Sequence, residues 1–231
     1  ATNRGATVYG PPTGTPIRMT NIADCVIEKG VIVKEWLIRD NMTLVQQLGA
    51  DPVTAARRMA EGRTSELANW LAAESERVQG IDVPYVLGRP VFPREDPEAF
   101  ARKVLTSCLT GDREMFDSTH APYSVLHRSP FRHYSGRDAV FEYYQSLRSI
   151  LGHVHFSVDH VCSQPFSENG TDIAVRWTAC GTHDGEVLGV APTGKPMFIM
   201  GVTHWHCIAD HIAIEQTIFD DLAVLSQALV D

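Results

Sequence analysis

The sequence predicts an α+β fold in which helices cover one face of a curved antiparallel sheet, and three observations predict it. Residues 96–231 segregate their patterns, three helices first and then four or more antiparallel strands. The closing stretch, Gly181–Asp231, holds a Gly/Pro/Thr-rich turn (Pro192-Thr193-Gly194-Lys195-Pro196), two apolar extended runs (Met197–Ile208 and His211–Phe219) and a short terminal helix. The same series opens the chain. At an offset of 180 positions, set by Pro12 on Pro192, Ala1–Gly49 aligns on Gly181–Leu229 without a gap. Identities fall at Thr2, Gly5, Pro12, Thr13, Gly14, Pro16, Ile32, Glu35, Ile38, Asp40 and Gln47. A shared PTGxP turn and a shared E-x-x-I-x-D strand end read as an internal duplication.

Residues 1–49 supply the turn, a hairpin (Ile17–Ile27 and Val31–Ile38, joined at Glu28-Lys29-Gly30) and a helix starting at Asp40. That matches only the closing third of the second copy, so the first copy is incomplete and a further helix-and-strand segment is expected upstream. Residues 50–95 read as a helical connector and a linker. Asp51-Pro52 gives an N-cap and a first-turn proline, and Ala55, Met59, Leu67, Trp70 and Leu71 keep helical spacing to residue 78. Pro84, Gly88, Pro90 and Pro93 then mark an extended arm. The complete domain, 96–231, begins with a helix from Asp96-Pro97-Glu98 whose apolar residues are Phe100, Val104, Leu105 and Leu109. A short helix at Asp112–Asp117, a strand-like step at Ser124–Leu126 and a helix over Gly136–Leu151 follow. His153–Cys162 and Asp172–Thr182 are strands by alternation and β-branched content. The closing hairpin and helix complete the order.

Of 231 residues, 44% are hydrophobic and 21% charged, ordinary values for a globular chain with a sizeable core. A net charge of −8 with scattered arginines argues against a nucleic-acid partner. No apolar run reaches the length of a membrane span, so no membrane partner is expected. Five cysteines, odd in number and without a C-x-x-C, read as reduced thiols in a cytoplasmic protein. Neither a G-x-G-x-x-G, a Walker loop, a G-x-S-x-G elbow nor an H-E-x-x-H occurs, so nucleotide, serine-hydrolase and zincin classes lack support and no cofactor is expected.

Several motifs resemble those of the SnoaL-like polyketide cyclases, a branch of the cone-shaped α+β barrels related to nuclear transport factor 2. They are His120-Ala121-Pro122-Tyr123, the helix-opening Gly136, the G-T-H-x-G-E turn at Gly181–Glu186, the PTGKP turn, and E-x-x-I-x-D at Glu215–Asp220. In the first copy Lys34-Glu35-Trp36 through Gln46-Gln47-Leu48-Gly49 is similar to the family's ending. The resemblance implies a cone-shaped sheet, a small hydrophobic ligand, and two copies packed sheet against sheet as a pseudo-dimer in one chain. Further homo-oligomerisation stays open. Family cyclases close a ring by intramolecular aldol condensation, using an Asp on the last strand and a His on the strand before it. Counted back from the terminal helix, those positions fall on Thr217 and Thr203, and on Leu37 and Ala23 in the first copy. Neither copy keeps the pair.

If Thr203 and Thr217 face the cone, alternation sends Trp205, Glu215 and Phe219 there too. Glu215 is then the best-placed catalytic acid/base, an acid set against an indole in an apolar cavity. His127, just beyond the strand step, is the candidate assisting acid/base at the cone mouth. Tyr123, Trp177, His183, Thr203, Trp205, Thr217 and Phe219 complete the candidate substrate-binding set. His183 has a competing role in fixing the G-T-H-x-G turn, and Asp220 and Asp40 most simply cap helices. His204-Trp205-His206 places two imidazoles on one face, but that face is opposite Thr203, so no metal site is assigned. Two functions remain: a lyase, isomerase or cyclase-like enzyme acting on a hydrophobic carbonyl compound, or a non-catalytic ligand-binding or assembly module that lost the Asp/His pair.

Overall fold

The computed structural model describes residues 1–81, 91–129 and 131–230. The Pro/Gly-rich arm around Pro84, Gly88 and Pro90 lies outside these residues. From residue 96 onward the chain starts with α4 (Pro97–Thr110) and α5 (Arg113–Asp117), with Asp96 and Asp112 as N-caps. β3 (His120–Arg128), β4 (Arg132–Ser135), α6 (Arg137–Ile150), β5 (Leu151–Ser167), β6 (Gly170–His183), β7 (Pro196–Ile208), β8 (His211–Phe219) and α7 (Asp221–Ala228) follow. The six strands form one sheet in the order β4-β3-β8-β7-β6-β5. Long apolar strands with buried residues at alternate positions give that sheet one dry face. α4 and α6 close over it: Phe100, Val104, Leu105, Cys108, Tyr144 and Leu147 share a core with Ile173, Val175, Trp177, Trp205 and Phe219.

Two features differ from the sequence expectation. The strand-like step at Ser124–Leu126 is a nine-residue strand, and β3 runs parallel to β8 rather than antiparallel. The intervening helix and four strands (β4 to β7) bring the chain back beside β3, a crossover that local pattern does not encode. Second, the helical stretch 50–78 is two helices, α2 (Pro52–Glu61) and α3 (Ser65–Gln79), split where Thr64 caps α3 through its side chain.

Before them lie β1 (Asn21–Glu28), β2 (Val31–Arg39) and α1 (Asn41–Gln47). Their details recur at the offset of 180. Ala23 pairs with Leu37 as Thr203 pairs with Thr217. Lys29 and Gly30 turn the first hairpin with positive φ, as Ala209 and Asp210 turn the last. The bridges Thr7–Gly10 and Val187–Val190 correspond. The Gln47 amide clamps the backbone of Arg18, and the Gln227 amide clamps that of Phe198. Asp40 caps α1 and Asp220 caps α7.

The opening hairpin lies on the outer face of the large sheet, where Ile38 is buried with Val202 and Ile218. Arg176 donates from Nε to Asp24 at 2.7 Å and covers the Trp36 ring at 4.0 Å. α1 and α2 pack Met42, Val45, Ala55 and Ala56 against Leu222 and Leu225 of α7.

Candidate functional site

On β3 the buried side chains of Leu126 and Arg128 face the cone, and His127 between them faces out. A buried guanidinium must find acceptors. Arg128 donates from Nε to Tyr143 Oη at 2.7 Å, from Nη1 to the Ser129 carbonyl at 3.1 Å, and from Nη2 to both Asp221 oxygens at 3.0 Å. Its other surface lies 3.7 Å over the Phe219 ring. Arg132 makes a second, longer contact with Asp221, at 3.3 Å.

This network borders an apolar cavity of about 370 Å³ at the wide end of the cone. Leu147, Leu151, Ile199, Phe219 and Val224 form its apolar wall; Met42, Gln46 and Pro52 of α1 and α2 form part of its roof. Tyr143, Arg132, Asp221 and Glu186 are among its polar groups. Burial raises the Tyr143 pKa, an effect that Arg128 only partly offsets, so at neutral pH the group is a phenol. Its oxygen accepts from Arg128, which leaves the O–H to donate.

Deeper in the cone a hydrogen-bond chain runs through the sheet. Trp177 Nε1 donates to Thr203 Oγ1 at 3.0 Å, Thr203 and Thr217 bond at 2.9 Å, and Thr217 donates to Glu215 Oε1 at 2.7 Å. An indole can only donate and a carboxylate only accept, which sets the direction. Tyr144 also donates to Glu215. Burial, then the neighbouring Glu215, pushes the Tyr144 phenol well up, so it stays a donor. Glu215 Oε2 lies 3.6 Å from His120 Nε2, and neither atom has a hydrogen-bond partner. His120 itself stacks on Phe116 at 3.8 Å.

With this geometry in place, comparison with known proteins gives a family. The profile of the SnoaL-like polyketide cyclases matches residues 99–228, more than half of the chain. The chain belongs to that family. IdmH from Streptomyces antibioticus is similar in structure, with a TM-score of 0.50 at 22% identity over 58% of this chain and 98% of that one. TsrD from Streptomyces laurentii gives a TM-score of 0.50 at 14% identity over 60% and 98%. At these identities the likeness is one of fold. No curated protein sequence matches.

Within the SnoaL-like cone the residues read from sequence separate into groups. Phe219 alone of them lines the mouth cavity. Glu215, Thr203, Thr217 and Trp177 do meet, but as a closed interior network away from the cavity wall. Trp205 is buried edge-on to Phe100 at 6.2 Å and helps fill the narrow end. His127 must be corrected: its ring faces the outer surface and lies 2.7 Å, Nδ1 to Nδ1, from His133. The side chain at the mouth is its neighbour Arg128. Tyr123 is 64% exposed and does not take the substrate role assigned to it: it lies in the irregular stretch of β3 between His120 and Val125, where the pairing with β8 shifts register. His183 is fully buried and holds the PTGKP turn, accepting from Thr193 N at 3.3 Å. Sequence reading missed Arg128, Tyr143 and Asp221. The signal for Asp221 was its place just after the Asp220 cap, and for Tyr143 its place on the apolar stripe of α6; Arg128, which alternates with Ser124 and Leu126, had no clear signal. His204 and His206 lie on the outer face, and among the described residues no group of three or more His, Cys, Asp or Glu converges as metal ligands would.

Proposed function

We propose that this SnoaL-like chain is a small-molecule enzyme of cyclase or isomerase type, acting on a hydrophobic carbonyl compound in the mouth cavity. The observation that carries it is the Tyr143 hydroxyl, backed by the Arg128 guanidinium at 2.7 Å and set in an apolar cavity. Such a donor stabilises the enolate oxygen that forms when the α-carbon loses a proton. Asp221 is held by two arginines, whereas Glu186 on the cavity wall has no ion pair among the described residues and receives the proton. Ring closure then follows by attack of the enolate carbon on a second carbonyl of the same molecule, the aldol step the family description suggests. Met42, Gln46 and Pro52 from the opening segment complete the roof.

We also infer that residues 1–49 are the closing part of a first domain copy, residues 50–95 a connector, and residues 96–231 the complete copy, paired as a pseudo-dimer. The constant offset in strand register, turn conformation and amide clamps supports this.

A second reading, a binding module without catalysis, is favoured by the narrow end being filled with Trp205, Phe100 and Phe116. One experiment separates the two. The full chain is mixed with 2-tetralone in D2O, and exchange of the ketone's α-protons is followed by NMR. Exchange above buffer, cut about 100-fold or more in Tyr143→Phe as for loss of one oxyanion donor and also reduced in Glu186→Gln, supports the enzyme. Saturable binding without exchange supports the binding module.

A further inference from the structure

A second cavity of about 370 Å³ lies on the other side of α7, built from the end of β2, the start of β7, α3 and α7. Its volume is in the range of small-molecule pockets, roughly 300–1,000 Å³. Leu37, Leu67 and Trp70 stand on its rim and are 36%, 46% and 40% exposed. Trp70 lies edge-on to Phe198 at 5.4 Å, so its ring is held rather than loose. Large apolar side chains gathered at one concave place mark a binding surface, whereas single scattered ones do not.

Two guanidiniums border the same space. Arg39 and Arg63 both line it, and neither forms an ion pair with a described carboxylate. Nε of Arg63 is buried without a hydrogen-bond partner. A buried guanidinium N–H without an acceptor is costly, and a ligand anion would relieve that cost. The only acid on the wall among the described residues, Asp220, is engaged elsewhere. It accepts from Asn41 Nδ2 at 2.5 Å and from the amides of Leu222 and Ala223 at 3.1 Å.

We propose that this cleft is a second small-molecule site, separate from the mouth cavity, which takes an amphipathic carboxylate. The apolar body lies against Leu37, Leu67, Trp70 and Met200, and the carboxylate meets Arg63 and Arg39. A planar carboxylate matches the guanidinium fork, which a neutral apolar ligand leaves unfilled.

Decanoate and its uncharged counterpart decanol, both below their aggregation limits, test this by calorimetry and tryptophan fluorescence on the full chain. Decanoate is expected to bind saturably and about tenfold tighter than decanol, the difference one charge-assisted pair supplies. Arg63→Gln and Arg39→Gln each weaken decanoate several-fold and leave decanol unchanged. Trp70→Ala, at a side chain already half exposed, weakens both ligands, and Tyr143→Phe affects neither. Circular dichroism checks that each variant is folded. Absence of saturable decanoate binding, equal affinity for acid and alcohol, indifference to both arginine substitutions, or loss of binding in Tyr143→Phe overturns the proposal.

Discussion

Glu215 Oε1 accepts from Tyr144 and Thr217, while Oε2 faces the bare Nε2 of His120 at 3.6 Å. Replacement by Gln keeps the Oε1 acceptor and turns an N–H2 toward that ring nitrogen, completing a donor–acceptor pair. Glu215→Gln is therefore expected to change stability by less than about 1 kcal/mol. Glu215→Ala strands two buried hydroxyls and leaves a void, and is expected to cost about 2–4 kcal/mol. Urea unfolding measures both. Ketone exchange by Glu215→Gln should stay near the parent rate, because the carboxyl is off the cavity wall. A folded Glu215→Gln without activity would instead restore the acid/base role read from sequence. Alternation alone showed that Glu215 points inward. It could not show that Trp205, Phe100 and Phe116 close the space around it, since that depends on how α4 and α5 settle on the sheet.

At the scale of elements, the two PTGxP turns are held by different side chains in the same way. In the closing turn His183 Nδ1 accepts from Thr193 N at 3.3 Å; in the opening turn Asn3 Oδ1 accepts from Thr13 N at 2.7 Å. The backbone around them matches too, with Gly14 N bonded to the Asn3 carbonyl and Gly194 N to the His183 carbonyl. Asn is thus an acceptable occupant of position 183. His183→Asn is expected to lose about 1 kcal/mol or less, and His183→Ala about 1–2 kcal/mol, because only Ala removes the side-chain partner of Thr193 and leaves Thr193 N its 3.2 Å bond to the residue-183 carbonyl alone. Thermal unfolding of the two variants checks the order; equal losses would mean the ring's packing, not its nitrogen, holds the turn. The elements most legible in sequence were those with chemical punctuation: Asp51-Pro52, Asp96-Pro97 and Asp112 each open a helix. β4 was missed because Arg132–Ser135 is four residues long and none of them is large, aliphatic and buried. β3 was cut short because it begins His-Ala-Pro, with a proline that local rules place outside a strand.

Across the whole molecule, the opening segment meets α7 at a polar seam with a pH-dependent cost. Asp220 caps α7 and accepts from Asn41 of α1, whose Oδ1 in turn accepts from Tyr9 Oη at 2.9 Å. Burial raises Asp220 from 3.8 to about 6, and the hydrogen bonds from Ala223, Asn41 and Leu222 offset only part of that. An unfolded chain releases this proton near 3.8 and the folded one near 6. Between those values the folded state binds more protons, so the contribution is fully present below 3.8 and is lost as pH rises through about 6. A shift of about two units corresponds to at most about 3 kcal/mol at neutral pH. Asn at position 220 would cap α7 equally well and never ionise. The Asn41 amide would reverse, accepting from the new side chain and donating to Tyr9. Asp220→Asn is therefore expected to match the parent within about 0.5 kcal/mol at pH 4 and to exceed it by about 1–3 kcal/mol at pH 8. Urea unfolding at the two pH values measures it. A gain no larger at pH 8 than at pH 4 would show that ionisation of this carboxyl does not strain the joint between α1 and α7.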